Sequence, residues 1–192
     1  MKLDKLNTKF IGKNVEHFKR IDSTQSEIWR RIKNNNIKNG TIIMADIQTL
    51  GKGTHGRKWY TDEENNIAFS LFIEANCIID KLEGMTTEIA EILVNIIENL
   101  YCIHLQIKHP NDIMCNEKKI GGILTETKLN GEKVKYIVIG IGINTNQEKF
   151  DNEISKIATS IKKEFGIEVD CEKIISEFCN QFEKNIMKRM CY

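Results

Sequence analysis

From Gly51 to Lys58 the chain reads Gly-Lys-Gly-Thr-His-Gly-Arg-Lys, three glycines interleaved with three cations. Glycines let a backbone turn its N–H groups toward a ligand, and Lys52, Arg57 and Lys58 add positive charge, so the chemistry on offer is capture of a phosphate or carboxylate. The spacing meets the Gly-x-Gly-x-x-Gly pattern of dinucleotide folds, but that pattern carries weight only where it opens a helix. Here a turn-rich stretch leads into a strand instead. A phosphate P-loop fails too, because Arg57 and Lys58 stand where Lys and Ser or Thr are required. On this segment alone, an anion-binding loop and a solvated basic turn are equally good readings.

Three further segments supply context: Asp22-Ser23-Thr24-Gln25, Lys108-His109-Pro110-Asn111-Asp112 followed by Lys119-Ile120-Gly121-Gly122-Ile123-Leu124, and Gly140-Ile141-Gly142-Ile143-Asn144. Alone, each has a plain reading: a helix cap for Ser23 and Thr24, a turn for Pro110-Asn111-Asp112, a solvated hairpin lysine for Lys119, a strand-ending turn for Asn144. Together, in this order, they resemble the biotin protein ligases. That family carries a Ser-Thr-Asn-like segment, a Gly-Arg-Gly-Arg-x-Gly-Arg-x-Trp loop, Lys-Trp-Pro-Asn-Asp with Lys-hydrophobic-Gly-Gly-Ile-Leu, and Gly-x-Gly-Ile-Asn. The resemblance is strong over residues 20–150, and four ordered motifs are far more specific than any one of them.

The resemblance implies ATP-dependent activation of biotin to biotinoyl-AMP, then transfer to a lysine of a carboxylase's biotin carrier domain. Biotin and ATP are the substrates it implies, with Mg²⁺ at Asp112. It assigns catalysis to Lys119 and Arg57. The biotin site implied comprises Ser23, Thr24, Gln25, Gln48, Gly51, Lys52, Gly53, Thr54, Lys119 and Gly122; the nucleotide site comprises Arg57, Trp59, Lys108, Asn111 and Asn144. The chemistry requires such groups. A carboxylate is a poor electrophile, so the site must align it with the α-phosphate and neutralise charge on the phosphoryl oxygens. One carboxylate plus substrate phosphates suits Mg²⁺. His17, His55, His104 and His109 have no triad pattern and receive no catalytic role.

The elements that must position these groups alternate between strands and a few helices. Strands are expected at Glu16–Ile21, Thr41–Ile47, Ile67–Glu74, Ile103–Ile107, Asp112–Cys115, Ile120–Thr127 and Val134–Ile143, with Asn130-Gly131 as hairpin turn. Residues 48–66 read as one long loop. Thr24 with Glu27 reads as a capping box for a helix to Lys33. Further helices are expected at Leu82–Tyr101, at Ile154–Phe165 with Gly166 as its stop, and at Cys171–Met190 behind Asp170. Hairpin-joined strands with segregated helices predict an α+β fold. The resemblance implies a mixed, largely antiparallel sheet with helices packed on it, like class II aminoacyl-tRNA synthetases.

Composition bounds the rest. With 192 residues, 41% apolar, one domain spanning 1–192 is expected. Lys and Arg number 28 against 27 Asp and Glu, a net charge of +1, so no bulk attraction to nucleic acid or anionic membrane arises. No apolar run approaches the roughly 20 residues of a membrane helix. Six cysteines without Cys-x-x-Cys or metal-like spacing read as reduced thiols, and a cytoplasmic monomer or homodimer is expected.

The sequence departs from the family pattern at Thr54, where a second loop arginine is usual, and at His109, where tryptophan is usual. Too few residues precede Ser23 for a helix-turn-helix domain, and the family's small C-terminal β-barrel domain is expected to be absent. Two rival functions stand beside biotin ligation: a lipoate or octanoate ligase, which Ser23, Thr24 and Gln48 argue against, and a biotin-sensing module without turnover.

Overall fold

The computed structural model describes residue 3 and residues 5–61 and 66–190. Residues 62–65 of the long loop, and Cys191 among the cysteines, lie outside the described residues. Strands β1 (Val15–Ile21), β2 (Ile42–Gln48), β3 (Ile67–Ile78), β4 (Gln106–Lys108), β5 (Asp112–Cys115), β6 (Lys118–Asn130) and β7 (Lys133–Ile143) form one sheet, ordered β1-β2-β3-β7-β6-β5-β4. Among these seven strands of the described residues, β1 and β2 are the pair that runs parallel. That pair needs a crossover, which helix α1 (Thr24–Lys33) provides. The remaining pairs are antiparallel, as expected of a mixed, largely antiparallel α+β sheet.

Alternation along β3, β7 and β6 sorts side chains onto two faces. Phe69, Leu71 and Ile73, with Ile137, Ile139, Ile141 and Ile123, join the large core under helices α2 (Met85–Tyr101) and α4 (Cys171–Met190). Phe178 of α4 stands 5.9 Å from Phe69 and 5.2 Å from Phe182, centroid to centroid. Burying each such ring contributes roughly 2–3 kcal/mol. The opposite face carries a smaller cluster of Ile28, Ile32, Ile43, Phe72 and Val138 under α1.

On that α1 face, the register lays three rows across β3, β7 and β6: Phe72, Val138 and Glu126; Ser70, Gly140 and Leu124; Ala68, Gly142 and Gly122. The first row is covered by α1. The other two, short of side chains, stay open as the floor of a site.

Several boundaries differ from the sequence reading. The helix expected at Leu82 starts at Met85 after Gly84, whose φ of 71° is left-handed, with a 3-10 turn at Ile79–Leu82 before it. The strand expected at Ile103 starts at Gln106. The Asn130-Gly131 turn shifts by one residue, since Asn130 pairs with Lys133 and Gly131 (φ 61°) enters the turn. The capping box is not formed: Ser23, not Thr24, caps α1 by accepting from Ser26 N, and Glu27 pairs with Arg30 and Arg31.

The expected helix Ile154–Phe165 is two pieces, a 3-10 turn at Ile154–Lys156 and helix α3 (Ile161–Phe165) capped by Ser160. Between them Ala158 makes a parallel bridge with Lys119, so pairing to the sheet overrides the helical spacing. Gly166 (φ 70°) stops α3, and Asp170 Oδ1 accepts from Lys173 N at the start of α4, both as expected. Among the described residues no helix is long and apolar enough to cross a membrane. Among the described residues, Cys77, Cys102, Cys115, Cys171 and Cys179 form no disulfide.

Candidate active site

The glycine segment is not the featureless loop its sequence indicates. Lys52 and Lys58 form an antiparallel bridge around a 3-10 turn at Thr54–Gly56, closed by Trp59 N donating to Gly51 O at 2.9 Å and Gly53 N to Arg57 O at 2.8 Å. The Gly53 N–H is thus taken within the hairpin. Arg57 donates through Nη2 to Thr54 Oγ1 at 3.0 Å and through Nε to Thr54 O at 3.3 Å.

This small hairpin hangs Trp59 over the bare floor. A Cβ on Gly142 would sit 2.4–2.7 Å from three indole atoms, and one on Gly122 would lie 3.4 Å from the same ring. Glycine at these two cross-strand neighbours is what lets the indole lie against the sheet.

Two cavities meet at this ring. The first is bordered by Ser23, Thr24, Gln25 and Gln48, by Lys52, Gly53 and Thr54 of the hairpin, by Asn111, Lys119 and Gly122, and by the apolar Phe69, Ile123, Leu124 and Ile141. The second, which is larger, is bordered by Trp59, Arg57, Lys58, Asn144 and the apolar Phe150, Ile154 and Ile157. Gly53, Thr54, Trp59 and Lys119 border both.

The shared ammonium is firmly held. Lys119 Nζ lies 2.5 Å from Asp112 Oδ1 and 5.8 Å from the Trp59 ring centroid. Its main chain is clamped as well, with Lys119 N donating to Ile157 O and Lys119 O accepting from Thr159 N, each at 2.9 Å. The β5–β6 register shifts between Ile113 and Met114, with Ile120 the extra residue on β6, and the Asp112 and Lys119 side chains meet across this irregular stretch.

Among the residues singled out in sequence, Gly51, Lys108 and Asp112 border neither cavity. Gly51 serves the hairpin instead, since a Cβ there would meet Trp59 O at 2.3 Å. Lys108 is exposed on the edge strand β4. Asp112 reaches the site only through Lys119. Asn111 donates to Ile123 O at 3.3 Å, and Asn144 to Thr159 O at 3.1 Å. Sequence reasoning missed Ser70 and Glu126, and gave Gly140 no role beyond its place in the Gly-x-Gly-Ile-Asn segment. A lone serine within the buried run Ile67–Ile73 was the available signal.

The fold, the loop and the cavities can be set beside known proteins. The sequence profile described as the Biotin/lipoate A/B protein ligase family matches residues 17–144. The bifunctional ligase/repressor BirA of Bacillus spizizenii is 36% identical over 189 residues, covering 97% of this chain and 58% of its own length. The biotin--[acetyl-CoA-carboxylase] ligase of Mycobacterium tuberculosis is 25% identical over 86% of this chain and 61% of its own. This chain therefore spans well under two thirds of these relatives. The biotin protein ligase of Aquifex aeolicus, solved in complex with biotin and ATP, superposes with a TM-score of 0.75 at 30% identity, over 93% of this chain and 72% of that one. A profile match across the whole site-bearing sheet, with relatives aligned along nearly all of the sequence, makes this chain a member of the biotin/lipoate A/B protein ligase family.

Proposed function

We propose that the protein activates biotin with ATP and transfers the biotinoyl group to a lysine of a carboxylase's carrier domain. The observation that carries this reading is the single ammonium of Lys119 on the border of two cavities, one with buried Thr24, Gln25, Gln48 and Ser70 in its lining, the other larger and beside a cationic loop. That arrangement suits an acid on one side and a nucleotide on the other, with positive charge where they react.

In the first cavity, Thr24, Gln25, Ser70 and Gln48 are all buried, and their short polar groups match the two N–H donors and one carbonyl of a ureido ring. The acid's carboxylate reaches Lys119 and attacks the α-phosphorus, and pyrophosphate leaves. In the second cavity Arg57 and Lys58 pair with phosphate oxygens, and Asn144 faces the nucleotide. Among the described residues no three His, Cys, Asp or Glu side chains converge. Asp112 would hold a Mg²⁺ in exchange for its bond to Lys119 Nζ, and the ion would supply charge shielding for the phosphates. In the second half-reaction the carrier amine attacks the acyl carbonyl and AMP leaves; the protein's role is to hold the anhydride in place.

The test is pyrophosphate exchange dependent on biotin, followed by labelling of a carrier domain. Exchange with biotin and not lipoate is expected, because a buried polar wall rejects a ligand without matching groups by orders of magnitude. Exchange driven by lipoate overturns the substrate, and biotin binding with neither exchange nor transfer leaves only a sensor.

A further inference from the structure

A relay of hydrogen bonds runs from the far edge of α1 into the first cavity. Glu126 Oε2 accepts from Trp29 Nε1 at 2.6 Å and from Gln25 Nε2 at 2.9 Å. Gln25 Nε2 also donates to Val138 O at 3.2 Å, while Gln25 Oε1 accepts from Ser70 Oγ at 2.9 Å. Ser70 Oγ lies 2.9 Å from Thr24 Oγ1. The Thr24 N–H and hydroxyl both meet Gln48 Oε1, at 2.9 and 3.2 Å, and Gln48 Nε2 reaches Thr61 Oγ1 at 3.4 Å. Gly140 makes room for the relay, because a Cβ there would stand 2.8 Å from Gln25 Oε1.

The relay has a direction, and it is set at its outer end. A carboxylate only accepts hydrogen bonds, as does a backbone carbonyl. Facing Glu126 and Val138 O, Gln25 must turn its NH₂ outward and its carbonyl oxygen toward Ser70. Ser70 has one hydroxyl hydrogen and gives it to Gln25. The hydrogen of Thr24 then goes to Ser70 Oγ or Gln48 Oε1, both inside the wall. What Thr24 has left for a ligand is its lone pairs.

We infer that Glu126, anchored by Trp29, is a positioning residue that fixes the polarity of this relay, so that the cavity offers an acceptor to a ligand bearing N–H groups. The inference rests on the proposed activation of biotin and says how the same cavity selects its acid. A cyclic urea, with N–H donors on its ring, satisfies the Thr24 oxygen. A sulfur ring of similar size brings no donor to the remaining lone pairs of that oxygen.

Glu126→Gln tests this, because an amide at 126 can present N–H and releases Gln25 to turn over. In biotin-dependent pyrophosphate exchange the KM for biotin should rise about tenfold, the equivalent of one charge-assisted hydrogen bond. The kcat should stay within about twofold and the KM for ATP should be unchanged, as when only ground-state binding is lost. Trp29→Phe keeps the ring and removes one donor to Glu126, so a smaller rise of about threefold is expected should Glu126→Gln fail to fold. A KM for biotin unchanged in the folded variants overturns the inference, and so does an equal loss in kcat and in the KM for ATP. If the unaltered protein shows no biotin-dependent exchange, the proposed function falls and this inference with it; if it does and the variants match it, only the polarity assignment falls.

Discussion

Lys119 and Asp112 join hands across the edge of the sheet, Nζ to Oδ1 at 2.5 Å, with the lysine side chain 28% and the aspartate 16% exposed. The ammonium is thus kept at the junction of the two cavities before any substrate arrives. Lys119→Ala removes the charge expected to steady the phosphoryl oxygens. Loss of about 1.5–3 kcal/mol, one to two decades in exchange rate, is expected while circular dichroism stays native. An exchange rate within twofold of the unaltered protein would count against the assignment.

Gly142→Ala should disturb the site from beneath. Main-chain pairing to Ala68 and Gly122 holds residue 142 in place, so the indole 2.4 Å from the new methyl must move. Overpacking of this kind costs roughly 1–3 kcal/mol. Red-shifted tryptophan emission and weaker biotin binding are expected together, read by fluorescence and calorimetry.

Thr54→Arg should slow escape of the activated intermediate. Thr54 borders both cavities and is the acceptor for Arg57 Nη2. An arginine there adds a cation and frees the Arg57 fork, for about one to two decades of slower release if a charge-assisted bond forms. The measurement is loss of labelled biotinoyl-adenylate through a desalting column; a release rate the same in both proteins argues against an anion-holding role for this position.

Glu183→Ala should loosen the N-terminal segment. This buried carboxylate of α4 accepts from the main-chain N–H groups of Lys9, Phe10 and Ile11 at 2.5, 3.0 and 2.9 Å. Leaving those donors unpaired should cost about 3 kcal/mol. A shift in the urea midpoint with an unchanged slope would report it.

The start of α1 should weaken in acid. The Arg30 guanidinium, bonded to both oxygens of Asp22 at 2.7 Å, holds that carboxyl at about 2, well below its ordinary value. Burial works the other way on Glu27, but its bonds to Arg31 and Arg30 prevail and its pKa is lowered. Folded values below unfolded ones mean stability fully present above the ordinary carboxylate range and lost as pH falls through about 4 toward 2. Asp22 is 35% exposed, so its own share is well under about 1 kcal/mol after solvent screening. Asp22→Asn should flatten the fall in melting temperature between pH 5 and pH 2.5; an equally steep fall would show the pair to be inert.

The strands of the site were legible because their apolar residues alternate or run together, and the glycines because each motif places them at fixed intervals. Helix α3 was misjudged at Ala158, where apolar spacing looks helical but the main chain pairs with Lys119 instead. The cap on α1 was misplaced by one residue since Ser23 and Thr24 both qualify locally. Only tertiary structure shows that Thr24 is needed by Gln48 and Ser70. Glu126 was invisible for a simpler reason: a glutamate on a β6 face reads as solvated until Trp29 and Gln25 are seen to converge on it.

The clamp on Lys119 has an architectural outcome. Asn144 N bonds to Ile120 O and Ile161 N to Asn144 O, while Ile157 and Thr159 grip Lys119. Residues 148–156 therefore form a lobe closed at its neck, and the Lys119 ammonium sits on the knot. A change of length within that lobe is then expected to be taken up beyond the knot, leaving the ammonium where the sheet holds it.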